Sequence, residues 1–234
     1  MILVGAADGD AAELDALTSR RVAGEPLEHI VGWVAFGRLR LAVGPGVFIP
    51  RQRSLQLARA AVRAAREQEH AVVLEAFAGA APLAATIAAT VPGAEMHAAD
   101  IDPVALRWAR INLPEGAGVH ESDRFSGLPT GLHGRITLVI AVPPYVPEPE
   151  AELIPRDLRA HEPFRALFAG EDGLDEVRGL IDDVDPWLAP DGRVLLELNH
   201  RQASIAAAHA RALGFRASYR TGSDGQTATL GLRR

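Results

Sequence analysis

Acidic side chains stand at three places where the hydrophobic pattern predicts that a buried strand has just ended. Glu75 closes one apolar run, Asp100 follows a second run, and Asp123 comes shortly after a third, weaker one. A carboxylate at the end of the second strand commonly accepts hydrogen bonds from ribose hydroxyls. The sequence therefore predicts that Asp100 contacts a nucleoside-containing cofactor. For Asp123, a role in the site and a position in a solvated loop are equally compatible with the sequence.

Two further segments directly follow predicted strands, where ligands bind in folds that alternate strands and helices. The turn after the first strand contains only Gly79, although a nucleotide-binding turn needs several glycines for close approach of the backbone to the ligand. Taken alone, a single glycine favours the interpretation of this segment as an ordinary Ala-rich turn from a strand to a helix. The fourth strand is followed by Val142 and then by Pro143, Pro144 and Tyr145. A double proline fixes a rigid, extended exit from the sheet, which indicates a binding element at the carboxyl edge.

The elements that must position these residues alternate along the chain from residue 71 onward. Alternation of strand and helix predicts a doubly wound α/β fold, with a mostly parallel sheet, an antiparallel last strand and helices on both faces. Ligands bind such sheets at the carboxyl ends of the strands, where the residues above stand. Strands are predicted at 71–75, 96–99, 118–121, 136–141, 193–198, 215–219 and 227–232, and helices at 53–69, 82–90, 103–112, 174–188 and 202–213.

The first 52 residues are expected to form an appendage to this sheet. A helix is predicted at 11–22 and a β-hairpin at 33–36 and 39–43, after which glycines and prolines interrupt the pattern. The chain is thus predicted to divide into a short N-terminal helix plus hairpin, residues 1–52, and a sheet domain, residues 53–234.

Composition excludes several classes of chemistry. The 234 residues include no Cys and no Lys, which excludes disulfides, thiolate nucleophiles and Schiff-base lysines. A net charge of −6 gives no general attraction to nucleic acid or to an anionic membrane. No export signal or membrane-length apolar span is recognised, and the histidine spacing matches no metal site. A cytoplasmic protein without a metal is expected.

The landmarks, taken in order, resemble the HemK/PrmC family. Its members are class I methyltransferases that use S-adenosylmethionine (SAM) to methylate a glutamine side chain of peptide release factors. The resemblance runs from about Glu25 to the C-terminus and implies a Rossmann-like methyltransferase fold. It rests on residues 25–32, 36–37, 47–51, 100–102, 143–145 and 172–174, together with Asn112, Asp123 and Glu197.

The resemblance also implies roles for individual residues. Asp100 would bind the ribose of SAM and Asp123 the adenine amino group, while Tyr145 would pack on the substrate. Asp100, Tyr145 and Asp123 are therefore the candidate catalytic residues. Glu75, Phe77 and Gly79 would complete the cofactor site, and Val142, Pro143, Pro144 and Tyr145 would form the substrate site.

Four positions depart from the family pattern. Phe77 and Ala81 replace glycines of the cofactor loop, so the Phe77 ring is expected to crowd the methionine part of SAM, which should bind weakly or not at all. Val142 replaces the Asn that holds the target amide, and Phe168 stands where the family tends to have Asp. Because a valine side chain neither donates nor accepts a hydrogen bond, methylation of a release-factor glutamine is not expected.

Three functions stay open on this reasoning. The first is a methyltransferase with an altered substrate, small or amine-bearing. The second is a SAM-independent enzyme of specialised metabolism, in which pocket carboxylates assist an intramolecular displacement or elimination. The third is a non-catalytic subunit that binds a protein partner. A cleft with several carboxylates and no basic counterpart, as the sequence suggests, favours a cationic small molecule.

Overall fold

A computed structural model describes residues 2–153 and 161–234. Its α-helices are α1 (Ile2–Ala6), α2 (Ala11–Val22), α3 (Leu27–Val31), α4 (Leu55–Arg66), α5 (Pro82–Ala88), α6 (Pro103–Asn112), α7 (Asp175–Asp183) and α8 (Ala203–Ala212). Its strands are β1 (Trp33–Phe36), β2 (Leu39–Ala42), β3 (Val72–Ala76), β4 (Glu95–Asp100), β5 (Gly118–Glu121), β6 (Ile136–Ala141), β7 (Leu188–Asn199), β8 (Arg216–Thr221) and β9 (Thr227–Arg233). Short 3₁₀ turns lie at Gln52–Ser54, Thr130–Leu132, Glu148–Leu153, Phe164–Ala166 and Asp185–Trp187.

The main sheet has the strand order β5-β4-β3-β6-β7-β9-β8 in the described part of the chain. Strands β5, β4, β3, β6 and β7 pair in parallel, while β9 is antiparallel to both β7 and β8. The predicted doubly wound α/β fold with an antiparallel last strand is confirmed. The chain reverses its direction of growth between β3 and β6, which creates the crevice in which ligands of such sheets bind.

Local signals explain where several elements begin and end. Asp102 caps α6 by accepting a hydrogen bond from the Val104 backbone N–H at 2.9 Å, as the Asp-Pro pair predicts. The predicted helix 174–188 is shorter than expected, because Pro186 ends the helical hydrogen bonding and a 3₁₀ turn follows α7. Strand β7 begins at Leu188 rather than at residue 193, with a register shift against β6.

Two hydrophobic clusters cover the two faces of the sheet. Side chains of β1 and β2 belong to the same cluster as those of α4, β3 and α5, so the hairpin packs on one face of the sheet. Asn112 reinforces this contact: its side chain exchanges hydrogen bonds with Ala42 of the hairpin and donates one to the Ala80 carbonyl oxygen at 2.9 Å. Ala7, Leu17 and Ile30 form a separate small cluster among α1, α2 and α3.

The two outer strands differ in length and burial from the central ones. β5 has only four residues, of which three are half-buried and one is exposed. β8 is exposed at five of its six positions, including Arg216 and Arg220. The central strands β3 and β6 are almost fully buried, as expected for parallel strands covered on both faces.

Candidate active site

A cavity of about 490 Å³ lies at the carboxyl ends of the parallel strands. Its walls come from the connections that follow β3, β4, β5 and β6, and from residues 46–54 and 163–167. Nine of the predicted site residues line it: Glu75, Phe77, Gly79, Asp100, Asp123, Val142, Pro143, Pro144 and Tyr145. The structure therefore brings all of them to one cavity, although they come from four separate connections.

The turn after β3 adopts a backbone suited to glycine at three alternating positions. Phe77, Gly79 and Ala81 have φ angles of 52°, 54° and 56°, in the left-handed region. Residues with a Cβ rarely adopt this region, and the conformation costs about 1–2 kcal/mol for each of them. The turn thus keeps a glycine-type backbone path even where the glycines are replaced.

Neighbouring groups hold this turn in place. The backbone N–H of Ala78 donates to the Ala99 carbonyl oxygen at 3.0 Å, and that of Gly79 donates to the Asp100 carboxylate at 2.8 Å. Asn112 binds the carbonyl oxygen of Ala80 from the other side. These contacts fix the turn from outside, which explains how Phe77 can occupy a disfavoured conformation.

Glu75 lies beneath the turn and is 2% exposed. Its two carboxylate oxygens accept hydrogen bonds from the backbone N–H groups of Leu83 (3.3 Å) and Ala84 (2.6 Å). Ala81 occupies the cap position of α5 and has no side-chain oxygen, so Glu75 satisfies the first donors of this helix instead. Burial raises the pKa of Glu75 to about 8, while the two backbone hydrogen bonds lower it.

Asp100 faces the cavity from the end of β4. Its carboxylate accepts hydrogen bonds from the backbone N–H groups of Gly79 (2.8 Å) and Asp102 (2.9 Å). Burial raises its pKa, and these hydrogen bonds lower it. Since a carboxylate has about four acceptor positions, Asp100 retains capacity for a ligand. Asp123 is more open, with 57% of its side chain exposed, and lies 3.6 Å from the guanidinium of Arg124.

The double-proline exit from β6 is tied to the loop before α7. Gln202 donates from Nε2 to the carbonyl oxygens of Tyr145 at 2.9 Å and Asp172 at 3.0 Å. Gly173 has a φ of 71°, and a Cβ there would lie 2.4 Å from the Tyr145 carbonyl oxygen. Val142 begins this exit, lines the cavity and packs against the apolar cluster that covers the hairpin side of the sheet.

Phe168 packs outside the cavity wall. Its ring stacks on that of Phe164 with centroids 4.3 Å apart, and its backbone forms a bridge with Val146 of the double-proline exit. The side chain is 6% exposed and belongs to the buried apolar residues. It therefore supports the loop that carries residues 163–167 and presents no polar group to a ligand.

Arginine side chains also line the cavity, so the expectation of a cleft without a basic counterpart is wrong. Arg51 donates from Nη2 to both carboxylate oxygens of the buried Glu162, each at 2.6 Å. Arg124 forms an ion pair with Glu176 of α7 at 3.2 Å. None of these arginines directly follows a strand of the parallel sheet, so the pattern of strand ends does not indicate them. Packing of the segment before α4 brings Arg53 to the same wall.

Glu197 also lines the cavity. The residue fits the family pattern, but the resemblance implies no role for it. It is 2% exposed and lies on β7, where it interrupts an otherwise apolar run. Ser54 donates from Oγ to its Oε1 at 3.0 Å, and the Arg53 Nε lies 3.9 Å from the same oxygen. Burial raises the pKa of Glu197. A charged residue at an apolar strand position was the signal available in the sequence.

Within residues 2–153 and 161–234, no three side chains of His, Asp or Glu are placed to hold a metal ion. No helix in these same ranges has the length and apolar character needed to cross a membrane.

Comparison with curated proteins identifies relatives over most of the chain. A release factor glutamine methyltransferase of Streptomyces coelicolor is 38% identical over 77% of this chain and 65% of its own length. That of Deinococcus radiodurans is 35% identical over 97% of this chain and 81% of its own. A 4-amino-L-phenylalanine/4-methylamino-L-phenylalanine methyltransferase of Streptomyces pristinaespiralis is 34% identical over 83% of this chain and 68% of its own.

Solved structures agree on the fold. A ribosomal protein L11 methylase of Lactobacillus delbrueckii has a TM-score of 0.60 at 16% identity, covering 82% of this chain and 83% of its own. No protein-family profile matches the chain. The aligned region spans about two thirds of the Streptomyces coelicolor relative but four fifths of the Deinococcus one. With the class I methyltransferase sheet and these relatives, the chain belongs to the release factor glutamine methyltransferase (HemK/PrmC) family.

Proposed function

We propose that this chain transfers a methyl group from SAM to a small, amine-bearing substrate and does not methylate a release-factor glutamine. The observation that carries the proposal is Val142, which presents an apolar side chain at the position from which the family holds the target amide. An amide buried there without a partner loses about 1–3 kcal/mol of binding. An amine acceptor needs no such partner, and the relative that acts on 4-amino-L-phenylalanine supplies a precedent.

The residues present fit SAM in its nucleoside half. Asp100 retains acceptor positions for ribose hydroxyls, Asp123 stands at the neighbouring strand end, and the turn of Gly79 keeps the left-handed path that the glycine-rich loop requires. Bound SAM supplies an electrophilic methyl group. Phe77 lines the same cavity, so we propose that SAM binds here with lower affinity than a glycine at position 77 would allow.

The chain's own residues would hold and orient the amine. Tyr145 lines the cavity, and Gln202 holds its backbone carbonyl oxygen. The buried carboxylate of Glu197 borders the same cavity and can bind a positively charged group of the substrate.

The direct test offers both kinds of acceptor to the protein. The full chain is incubated with SAM and either 4-amino-L-phenylalanine or a release factor, and the products are analysed by mass spectrometry. We expect one or two added methyl groups on the amine and none on the release-factor glutamine. A methylated glutamine would contradict the proposal. Absence of any transfer together with absence of SAM binding would favour the SAM-independent enzyme instead.

Replacing Val142 with asparagine should shift the choice of acceptor. Val142→Asn restores an amide that can both donate and accept hydrogen bonds at the start of the double-proline exit. We expect glutamine methylation of a release factor to become detectable by mass spectrometry, while methylation of the amine falls. Val142→Leu is the matched control, because it changes the volume without adding a polar group. If both variants behave alike, residue 142 does not select the acceptor.

Replacing Phe77 with glycine should strengthen SAM binding. The change removes the ring from the cavity and relieves a left-handed backbone that glycine adopts freely. We expect the dissociation constant from calorimetry to fall roughly tenfold, equivalent to about 1.4 kcal/mol. Ala81→Gly is the control: it relieves the same backbone conformation but removes only a methyl group that is fully buried. An unchanged affinity in Phe77→Gly would show that the ring does not obstruct SAM.

A further inference from the structure

We infer that Glu197 and Arg53 form a subsite for the head group of a free α-amino acid, with the ammonium on Glu197 and the carboxylate on Arg53. The inference rests on the proposed function and specifies its substrate class. It also accounts for two opposite charges that line the cavity without closing into a hydrogen-bonded pair: the Arg53 Nε lies 3.9 Å from Glu197 Oε1, beyond hydrogen-bond distance.

Glu197 has one carboxylate oxygen that is free to bind a ligand. Its Oε1 accepts the hydrogen bond of Ser54, whereas Oε2 has no hydrogen bond among the described residues. In the same part of the chain, every fully buried side-chain oxygen or nitrogen has a partner. Oε2 is therefore not fully enclosed, and the surface that Glu197 borders is the cavity. A carboxylate whose side chain is only 3% exposed gains most from a cation that enters with the ligand.

Arg53 supplies the complementary charge at the rim. Its side chain is 42% exposed and makes no hydrogen bond to another described residue. Two other arginines of the cavity wall are committed elsewhere: the guanidinium of Arg51 is bound to both oxygens of Glu162, and that of Arg124 binds α7. Arg53 can thus turn its planar fork of donors toward a ligand carboxylate, which arginine binds with two parallel hydrogen bonds.

The spacing and surroundings favour an amino acid over a simple amine. The charged groups of Glu197 and Arg53 are about as close together as the ammonium and carboxylate of an α-amino acid. The ammonium would bind Glu197, and the carboxylate would bind Arg53. Both side chains also lie near Tyr145, whose pKa is raised by burial, lowered by Arg53 and raised by Glu197. Val142, Pro143 and Pro144 also line the cavity, so an apolar surface is available for a hydrophobic side chain beyond the head group.

Binding of matched analogues to the full chain tests the subsite without any methyl transfer. Calorimetry compares 4-amino-L-phenylalanine with two analogues: 4-(2-aminoethyl)aniline, which lacks the carboxylate, and 3-(4-aminophenyl)propanoic acid, which lacks the α-amine. We expect the amino acid to bind tightest and each analogue to bind roughly tenfold more weakly or worse. Equal affinities for all three would overturn the inference.

Two variants should show a crossed pattern. Glu197→Gln should weaken the amino acid about tenfold and leave the analogue without the α-amine unchanged. Arg53→Gln should weaken the amino acid and leave the analogue without the carboxylate unchanged. Glu67→Gln is the control, because it breaks an exposed ion pair with Arg193 on the outer surface. If Glu197→Gln is unfolded by circular dichroism, the more exposed Arg53→Gln and the analogue series still decide.

The outcomes separate this inference from the proposed function. Head-group binding with the crossed pattern but no methyl transfer supports the subsite and contradicts the methyltransferase activity. Methyl transfer to the amine that is unaffected by both variants contradicts the subsite and supports the activity.

Discussion

Gly173→Ala is expected to lower the free energy of unfolding by roughly 2–5 kcal/mol, through backbone strain plus overpacking. Gly173 has a φ of 71°, which an alanine adopts only at a cost. A Cβ at this position would also lie 2.4 Å from the Tyr145 carbonyl oxygen and 2.7 Å from Gln202 Nε2. These atoms belong to the hydrogen bond that fixes the double-proline exit, so relief of the clash would displace the substrate wall.

A second glycine separates strain from the clash. Gly134 has a similar φ of 67°, but a Cβ there meets nothing within 4 Å. Gly134→Ala should therefore cost only about 1 kcal/mol, from the backbone conformation alone. Denaturant unfolding followed by circular dichroism measures both variants, with the difference between them reporting the close approach at Tyr145. Equal losses in the two would mean that the Tyr145 carbonyl is not held against Gly173.

Stability should fall as the pH rises from about 6.5 to 8, because of Glu75. Burial raises its pKa from 4.5 to about 8, so the folded protein retains a proton that the unfolded chain has released. A group with a raised folded pKa stabilises the fold below its unfolded pKa and loses that contribution as the pH rises through the folded value. Integrated over this window, the loss is roughly 1.5 kcal/mol.

Histidines act in the opposite direction at the lower end of this window. Burial lowers the pKa values of His29 and His120, so their contribution to stability grows as the pH rises through their unfolded value of about 6.5 and is nearly complete by about pH 7.5. Unfolding in denaturant at several pH values measures the slope. Glu75→Gln should flatten it, although its amide will also face a backbone donor and lower stability at every pH. A slope that persists unchanged in Glu75→Gln would assign the titration to another group.

The sheet and its order of elements could be predicted from the sequence because their signals are local. The apolar run of β6 and the Asp-Pro start of α6 depend on neighbouring residues alone, and their predicted bounds agree with the structure. The short helix α3 was missed because its five residues carry too little periodicity, and Pro26 caps it without a side-chain hydrogen bond. Helix α1 escaped for the same reason of length.

The candidate site could be predicted only where its residues follow strands. Asp100 and Tyr145 could be placed at the same edge of the sheet, because topology alone brings strand ends together. The pairing of Arg51 with Glu162 joins residues 111 positions apart, through packing that no local pattern encodes. The sequence places Glu75 at the end of a strand. Its hydrogen bonds to the first turn of α5 are harder to predict, because they depend on Ala81 having no side-chain oxygen to cap that helix. A carboxylate from a neighbouring strand that takes the place of a helix-capping side chain is visible only in the structure.

The outer strands of the sheet have a consequence for behaviour at high concentration. An exposed strand edge offers unpaired backbone groups to which another molecule can add a strand, and this is a common route to aggregation. Here one edge is β5, whose four residues give little length for such pairing, and the other is β8, which carries Arg216 and Arg220 among exposed positions. Guanidinium groups on both approaching copies would repel each other. We therefore expect edge-to-edge polymerisation to be disfavoured, and replacing Arg216 and Arg220 with valine should make the protein precipitate at concentrations at which the wild type stays in solution.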